Sequence, residues 1–414
     1  MKQPDGFVEP GKEHLACELL KALYGLKQAG MVWNKRFNTF LVDKLCFRQV
    51  SADPCVYMLN KGELFVILGL HVDDTLMVHN SADLCDRIVK SIGSEFEITD
   101  LGEPKRLLGM RVRRPNVDGP VRLDQQAYIL ELLKRFNMED CKPSALPHQP
   151  GLHLSKAMCP SSADETAEMK DVPYGELVGG LLWLSINTRP DIKQAVSVLC
   201  RFIKNPGRQH WTAAKLVLRY LRGTTEHGIV FSQNKESSGI SGFADSDFAN
   251  DPDKSRSVSG YVIQMANGPI AWKSKLQSSV ATSSVHAEYV ALYDGVREVV
   301  WLRQLLSELG HAQKAPTVMF EDNKGCISIT ANNRTDPRTK HIDVKFHYTR
   351  EQVKNQSVRV EYLPTAEMQA DALTKPVAKD KFLWFRSKVG VQDLTLFSPD
   401  VQSGRRVAGA PAPA

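Results

Sequence analysis

The chain has 414 residues, 42% of them apolar, with a formal charge of +6 and a pI near 8.8. That length and apolar share exclude a disordered chain and allow two or three cores, while the mild positive charge permits contact with a polyphosphate without demanding it. Eight scattered cysteines form no Cys-x-x-Cys pair, the first twenty residues lack an apolar signal run, and the most apolar run, Leu177 to Ile186, is too short to cross a membrane, so a reduced intracellular setting is expected.

Gln3 to Glu13, rich in Gly and Pro, reads as a loop, and Leu15 to Leu26 and Val32 to Leu45 read as helices. In the second, Trp33, Phe37, Phe40 and Leu41 share one face. Cys55 to Leu59 and Leu64 to Leu70 read as strands of a hairpin turning at Asn60-Lys61-Gly62. The second strand runs into Asp73-Asp74. Adjacent aspartates at a hairpin turn can hold a catalytic metal through oxygen, but taken alone they read first as a solvated acidic turn. A helix over Lys90 to Glu97, a strand over Arg106 to Arg114 and a helix over Leu123 to Met138 follow. Gly151 to Asp171, rich in Ser, Ala and charge, reads as a mobile linker. Apolar helices are expected at Tyr174 to Ser185, Asp191 to Lys204 and His210 to Leu221, with Lys215, Arg219 and Arg222 facing a phosphate backbone or solvent.

Four carboxylates further on each sit in a different local setting. Asp245 ends an apolar run that begins near Gly239; the next strands, Ser259 to Met265 and Pro269 to Lys273, meet at Ala266-Asn267-Gly268, a hairpin signal. Glu288 opens a long amphipathic helix that stops at Gly310. Asp322 closes the strand Thr317 to Phe320, just before another helix. Asp371 falls in a short helix, Ala366 to Leu373, after the strand containing Val358, Val360 and Tyr362. The four are separated by 43, 34 and 49 residues, so only the fold can bring them together. Convergent Asp and Glu oxygens suit magnesium, and two such ions can clamp the attacking and leaving oxygens of a phosphodiester.

The residues carry a family resemblance. FADSDFANDPDKSRSVSGYV, IAWKSKLQSSVATSSVHAEYVAL, EDNKGCI, RTKHIDVKFHYTRE and YLPTAEMQADALTKP resemble the ribonuclease H domain of copia-type LTR retrotransposon polyproteins. Upstream, QPDGF, LYGLKQAG, HVDDTLM, FEITDLGEPKRLLGM, PYGELVGGLLWL, TRPDIKQAV and LRYLRGT resemble the C-terminal part of the reverse transcriptase of the same family. The resemblance implies a mixed α/β fold: a truncated polymerase palm over 1–115, a helical thumb and connection over 116–235 with a linker near 143–171, a ribonuclease H-like domain with a five-stranded mixed sheet over 236–376, and a C-terminal helix and disordered tail over 377–414. It implies metal-dependent endonucleolytic cleavage of RNA in RNA/DNA hybrids, with Asp245, Glu288, Asp322 and Asp371 as catalytic ligands of two Mg2+ or Mn2+ ions.

Asp73 and Asp74 match the palm motif, with His71 where the family usually has Tyr, and stand as a vestigial polymerase site. The family's third catalytic aspartate would precede Met1, so reverse transcription by this chain alone is not expected. Candidate contacts to the hybrid are Ser283, Ser284, Asn323, Arg338, Lys340 and His341. His341 reads as a structural or backbone-binding group ahead of a general acid, and His286 is assigned no ligand role. Partners are then an RNA/DNA hybrid and a complete reverse transcriptase or other polyprotein product, with no membrane and no small-molecule cofactor. The compartment expected is the cytoplasm, with the nucleus as the alternative. Two other readings remain: a catalytically dead nucleic-acid-binding fragment, and a subunit supplying ribonuclease H to a separate polymerase chain.

Overall fold

The computed structural model describes residues 1–23, 25–116, 119–232, 239–331 and 343–397. The chain divides into two compact units, Met1–Gly102 with Gln304–Ala312, and Glu103–Arg303 with Gln313 onward.

In the first unit, α1 (Ala29–Thr39) continues into one π-helical turn, Phe40–Lys44. The strands are β1 (Arg48–Gln49), β2 (Val56–Lys61), β3 (Leu64–His71) and β4 (Asp74–His79), and α2 (Ala82–Glu95) follows, capped by the Ser81 hydroxyl. The four strands form an antiparallel sheet in chain order. Tyr57, Leu59, Val66, Leu68 and Leu70 project to one core with Phe37, Leu41, Leu84, Ile88 and Ile92, as period-2 strands and 3.6-period helices require. Described residues between Leu15 and Leu23 form turns and an isolated bridge, Lys2 to Ala16, not the expected helix. Leu19, Leu20 and Leu23 are exposed there, so no apolar face is buried to hold a helix.

The second unit opens with β5 (Arg106–Leu107), β6 (Met110–Arg113) and β7 (Val121–Asp124), then α3 (Gln126–Arg135). The expected strand over Arg106 to Arg114 is in fact a tight hairpin. Leu108 and Gly109 both adopt positive φ, as the two central residues of such a turn must. The expected linker contains α4 (Ala163–Lys170), fixed by a capping box in which Ser162 and Glu165 bond each other's backbone N–H. Helices α5 (Tyr174–Asn187), α6 (Lys193–Leu199) and α7 (Arg208–Arg222) pack into one apolar core with α3. Within it Arg189 is wholly buried. Its guanidinium bonds both oxygens of Asp191, and Tyr220 Oη donates to Asp191 at 2.6 Å. Arg219 and Arg222 donate to the carbonyls of Lys142 and Glu139, and Lys215 lies over the Trp211 ring, so all three serve the local structure.

Then come β8 (His227–Phe231), β9 (Ser241–Asp247), β10 (Val258–Met265), β11 (Gly268–Leu276), α8 (Ser284–Glu308), β12 (Thr317–Glu321), α9 (Lys324–Ala331), α10 (Asp343–Lys354), β13 (Val358–Tyr362), α11 (Asp371–Thr374), α12 (Lys379–Lys388) and β14 (Val391–Asp393). One sheet has the order β14-β8-β7-β6-β5, antiparallel throughout. The other has the order β11-β10-β9-β12-β13, in which β9 is antiparallel to β10 and parallel to β12. This is the expected five-stranded mixed sheet in a mixed α/β fold. Ala266 and Asn267, both at positive φ, turn β10 into β11. The tail beyond Phe397 and its expected disorder lie outside the described residues. No helix among the described residues is long and apolar enough to cross a membrane.

Candidate metal centre

The sheet register brings two of the carboxylates level. Val318 pairs with Ser241 and Phe320 with Phe243 in parallel β12 and β9. Continuing that offset past the strand end sets Asp322 beside Asp245. Glu288 comes from the second turn of α8, whose start is held by the Ser283 hydroxyl accepting the His286 N–H and by His286 Nδ1 accepting the Thr282 N–H. One oxygen from each of Asp245, Glu288 and Asp322 falls within 4.8 Å of the others.

Asp371 reaches the same pocket from α11 but keeps different company. Opposite Asp245 in the register is Gly260, and α11 presses on that bare backbone position. A Cβ there would lie 2.9 Å from Leu373 Cβ and 2.7 Å from Thr374 Cγ2. The close approach lets the Thr374 hydroxyl donate to Asp245 Oδ2. Asp371 itself is ion-paired, with Lys375 Nζ 2.8 Å from Oδ1 and Lys381 Nζ on Oδ2.

Burial sets the electrostatics. Asp245 is 2% exposed, and desolvation, then the Asp371 carboxylate, pushes it up to about 7 against the opposing pull of Lys375. Desolvation and then Asp245, Glu321 and Asp322 push Glu288 up to about 10. Against the cost of its own burial, Lys375 is held above the ordinary lysine range by Asp245 and Asp371. Carboxylates this close resist ionising together, and a cation relieves that resistance.

Glu321, Thr365, Thr374, Lys375 and Lys381 were not among the sequence candidates. Glu321 is fully buried, its Oε1 accepting the Asn323 N–H at 3.2 Å, and burial drives it well above the ordinary range. A period-2 signal pointed there: Thr317, Met319 and Glu321 are the buried alternation of β12. Thr365 donates to Asp322 Oδ2 at 2.6 Å. Lys375 lies four residues after Asp371, on the same helical face.

The other candidates are dispersed. Ser283 and Asn323 act as helix caps, the latter accepting the Cys326 N–H at 3.0 Å, and Ser284 is exposed at the start of α8. Arg338, Lys340 and His341 lie outside the described residues. Asp73 and Asp74 are exposed at the tip of the β3–β4 hairpin, where Val72 has positive φ. Among the described residues, no third metal-ligating side chain gathers with them.

An oxygen-only donor set fits a hard divalent cation, and Glu288 Oε2 and Glu321 Oε2 are buried without a hydrogen-bond partner, as a ligand pocket requires. Residues 1–150 match the family described as reverse transcriptase (RNA-dependent DNA polymerase). Over 392 residues, 94% of the chain, it is 41% identical to the retrovirus-related Pol polyprotein from transposon TNT 1-94 of Nicotiana tabacum, of which it covers 29%. It is 36% identical over 391 residues to the corresponding polyprotein from transposon RE1 of Arabidopsis thaliana, of which it covers 26%. Among solved structures, LC11-RNase H1 in complex with RNA/DNA hybrid is 18% identical, with 35% of this chain and 99% of that one covered at a TM-score of 0.26. The chain spans less than a third of the length of these polyprotein relatives, and nearly all of it is matched. It belongs to the copia-type retrotransposon Pol polyprotein family.

Proposed function

We propose that the second unit is a metal-dependent ribonuclease H that cleaves the RNA strand of RNA/DNA hybrids. The observation that carries the reading is the convergence of Asp245, Glu288 and Asp322 oxygens within 4.8 Å, two of the three residues being buried. Asp371 completes the acidic set from α11. When bound, Mg2+ or Mn2+ would supply Lewis-acid stabilisation of the phosphodiester undergoing in-line displacement, two ions being the arrangement the four carboxylates suit.

The chain's own residues prepare that pocket. Asp245, fixed by Thr374, gathered with Glu288 and Asp322 and acted on by the Asp371 carboxylate as well, is the group placed to serve both ion positions. Thr365 orients Asp322. An A-like hybrid duplex presents 2′-hydroxyls along a wide, shallow minor groove, within reach of short polar groups such as Ser284. Arg338, Lys340 and His341 are proposed to hold phosphates without reading sequence. Asp73 and Asp74 are retained as a vestigial polymerase metal site.

The test is cleavage of a labelled RNA strand in a hybrid, alongside single-stranded RNA and duplex DNA. Mg2+- or Mn2+-dependent cutting confined to the hybrid, abolished by chelation, is expected. Hybrid binding without cutting by folded protein would contradict the reading and favour a binding fragment; cutting only with an added polymerase chain would favour the subunit reading.

A further inference from the structure

Two ammonium groups occupy the carboxylate that stands outside the trio. Lys375 Nζ lies 2.8 Å from Asp371 Oδ1, and Lys381 Nζ bonds Asp371 Oδ2. The two lysines differ in origin. Lys375 follows Asp371 by one helical turn and shares its charge with Asp245 and Asp247. Lys381 comes from a separate helix, α12, with its side chain 26% exposed. Its ammonium also donates to the Thr365 carbonyl at 2.8 Å, while the Thr365 hydroxyl donates to Asp322 Oδ2 at 2.6 Å. Asp371, Lys381, Thr365 and Asp322 thus form one bonded chain along the pocket, tying the fourth carboxylate to the trio.

An ammonium bonded to a carboxylate oxygen takes up one of its lone pairs and repels a divalent ion, so it competes with metal for that side of the carboxylate. The trio carries no such cation partner on Glu288, whose Oε2 is buried without a hydrogen bond. We propose that Lys381 is a tethered competitor for the second divalent ion: its ammonium holds the cation position beside Asp371, so the trio fills first and the Asp371 side fills only when metal displaces Lys381. This rests on the metal centre proposed above. Lys381, by this account, is a positioning residue that sets the order and concentration range of metal loading. Its tether to the Thr365 carbonyl gives the displaced ammonium a second acceptor within the same pocket.

The experiment is Mn2+ binding to the full chain, followed by calorimetry and by paramagnetic resonance counting of bound ions. The wild type is expected to bind one ion tightly and a second more weakly. Lys381→Gln is expected to tighten the second site about three- to tenfold, the range of a partly exposed to partly buried ion pair, and to leave the first within about twofold. Lys381→Arg, which keeps the charge, leaves the second site at least as weak as in the wild type. Adding Asp371→Asn to Lys381→Gln removes the gain. Equal second-site affinity in wild type and Lys381→Gln, with the first site intact, overturns the competitor and leaves the metal centre standing. No Mn2+ bound by either folded protein overturns both.

Discussion

Asp245 and Glu288 hold protons that an unfolded chain would release. Their ordinary values, 3.8 and 4.5, rise to about 7 and about 10 through burial and mutual repulsion. Between those limits the native state binds more protons than the unfolded state, so stability must fall as pH rises. The metal-free protein, held in chelator, is therefore expected to lose melting temperature steadily from about pH 5 to pH 9. Glu288→Gln should flatten that slope, and Mg2+ should raise the melting point most at the alkaline end, where the carboxylates are ionised to receive it. A melting point that climbs with pH in chelator would contradict the assignment of buried, protonated acids. The candidate Asp and Glu positions were legible because each falls within a recognisable motif, on or beside a strand or near the start of a helix. Glu321 was not singled out, since an acid beside Asp322 reads as surface charge until the strand alternation is followed to its end. Lys381 was not legible at all, because its contact with Asp371 depends on where α12 returns.

Close approach of α11 to the sheet is an effect of one missing side chain. Gly260 lies opposite Asp245 in β10, and a Cβ there would meet Ala370 O at 3.2 Å as well as Leu373 and Thr374. Backbone and a Cβ cannot swing aside as a long side chain can. Gly260→Ala is expected to cost about 1–3 kcal/mol of stability by overpacking and to lower cleavage by shifting Asp371 from Asp245. Denaturant melts and hybrid cleavage check both; an unchanged midpoint and rate would sink the packing argument. Most strands and long helices of this unit were readable from alternation and 3.6-residue periodicity, and the Asn267 turn from its composition. The helix expected after Leu15 failed because periodicity without a partner surface does not stabilise a helix. The opposite error fell on Ala163–Lys170, where low apolarity suggested a linker and the Ser162–Glu165 capping box holds a helix instead.

At the scale of the whole molecule, topology decides what sequence spacing cannot. The four carboxylates are separated by 43, 34 and 49 residues, and the parallel pairing of β9 with β12 closes the first two of those gaps at once by setting Asp322 level with Asp245. The helices α8 and α11 then deliver Glu288 and Asp371 to the same sheet end. The sheet built from β5, β6, β7, β8 and β14 was not legible, since its strands come from three distant stretches and are two to five residues long. Short strands carry too few residues for a period to show.

The most direct test of the account compares hybrid cleavage by the wild type, Asp245→Asn and Asp322→Asn under saturating Mg2+, with the fold of each verified by its melt. The account predicts folded variants in which cleavage falls by at least about two orders of magnitude, because each loses a ligand of a shared ion. Cleavage retained at near wild-type rate by either folded variant would contradict the carboxylate centre.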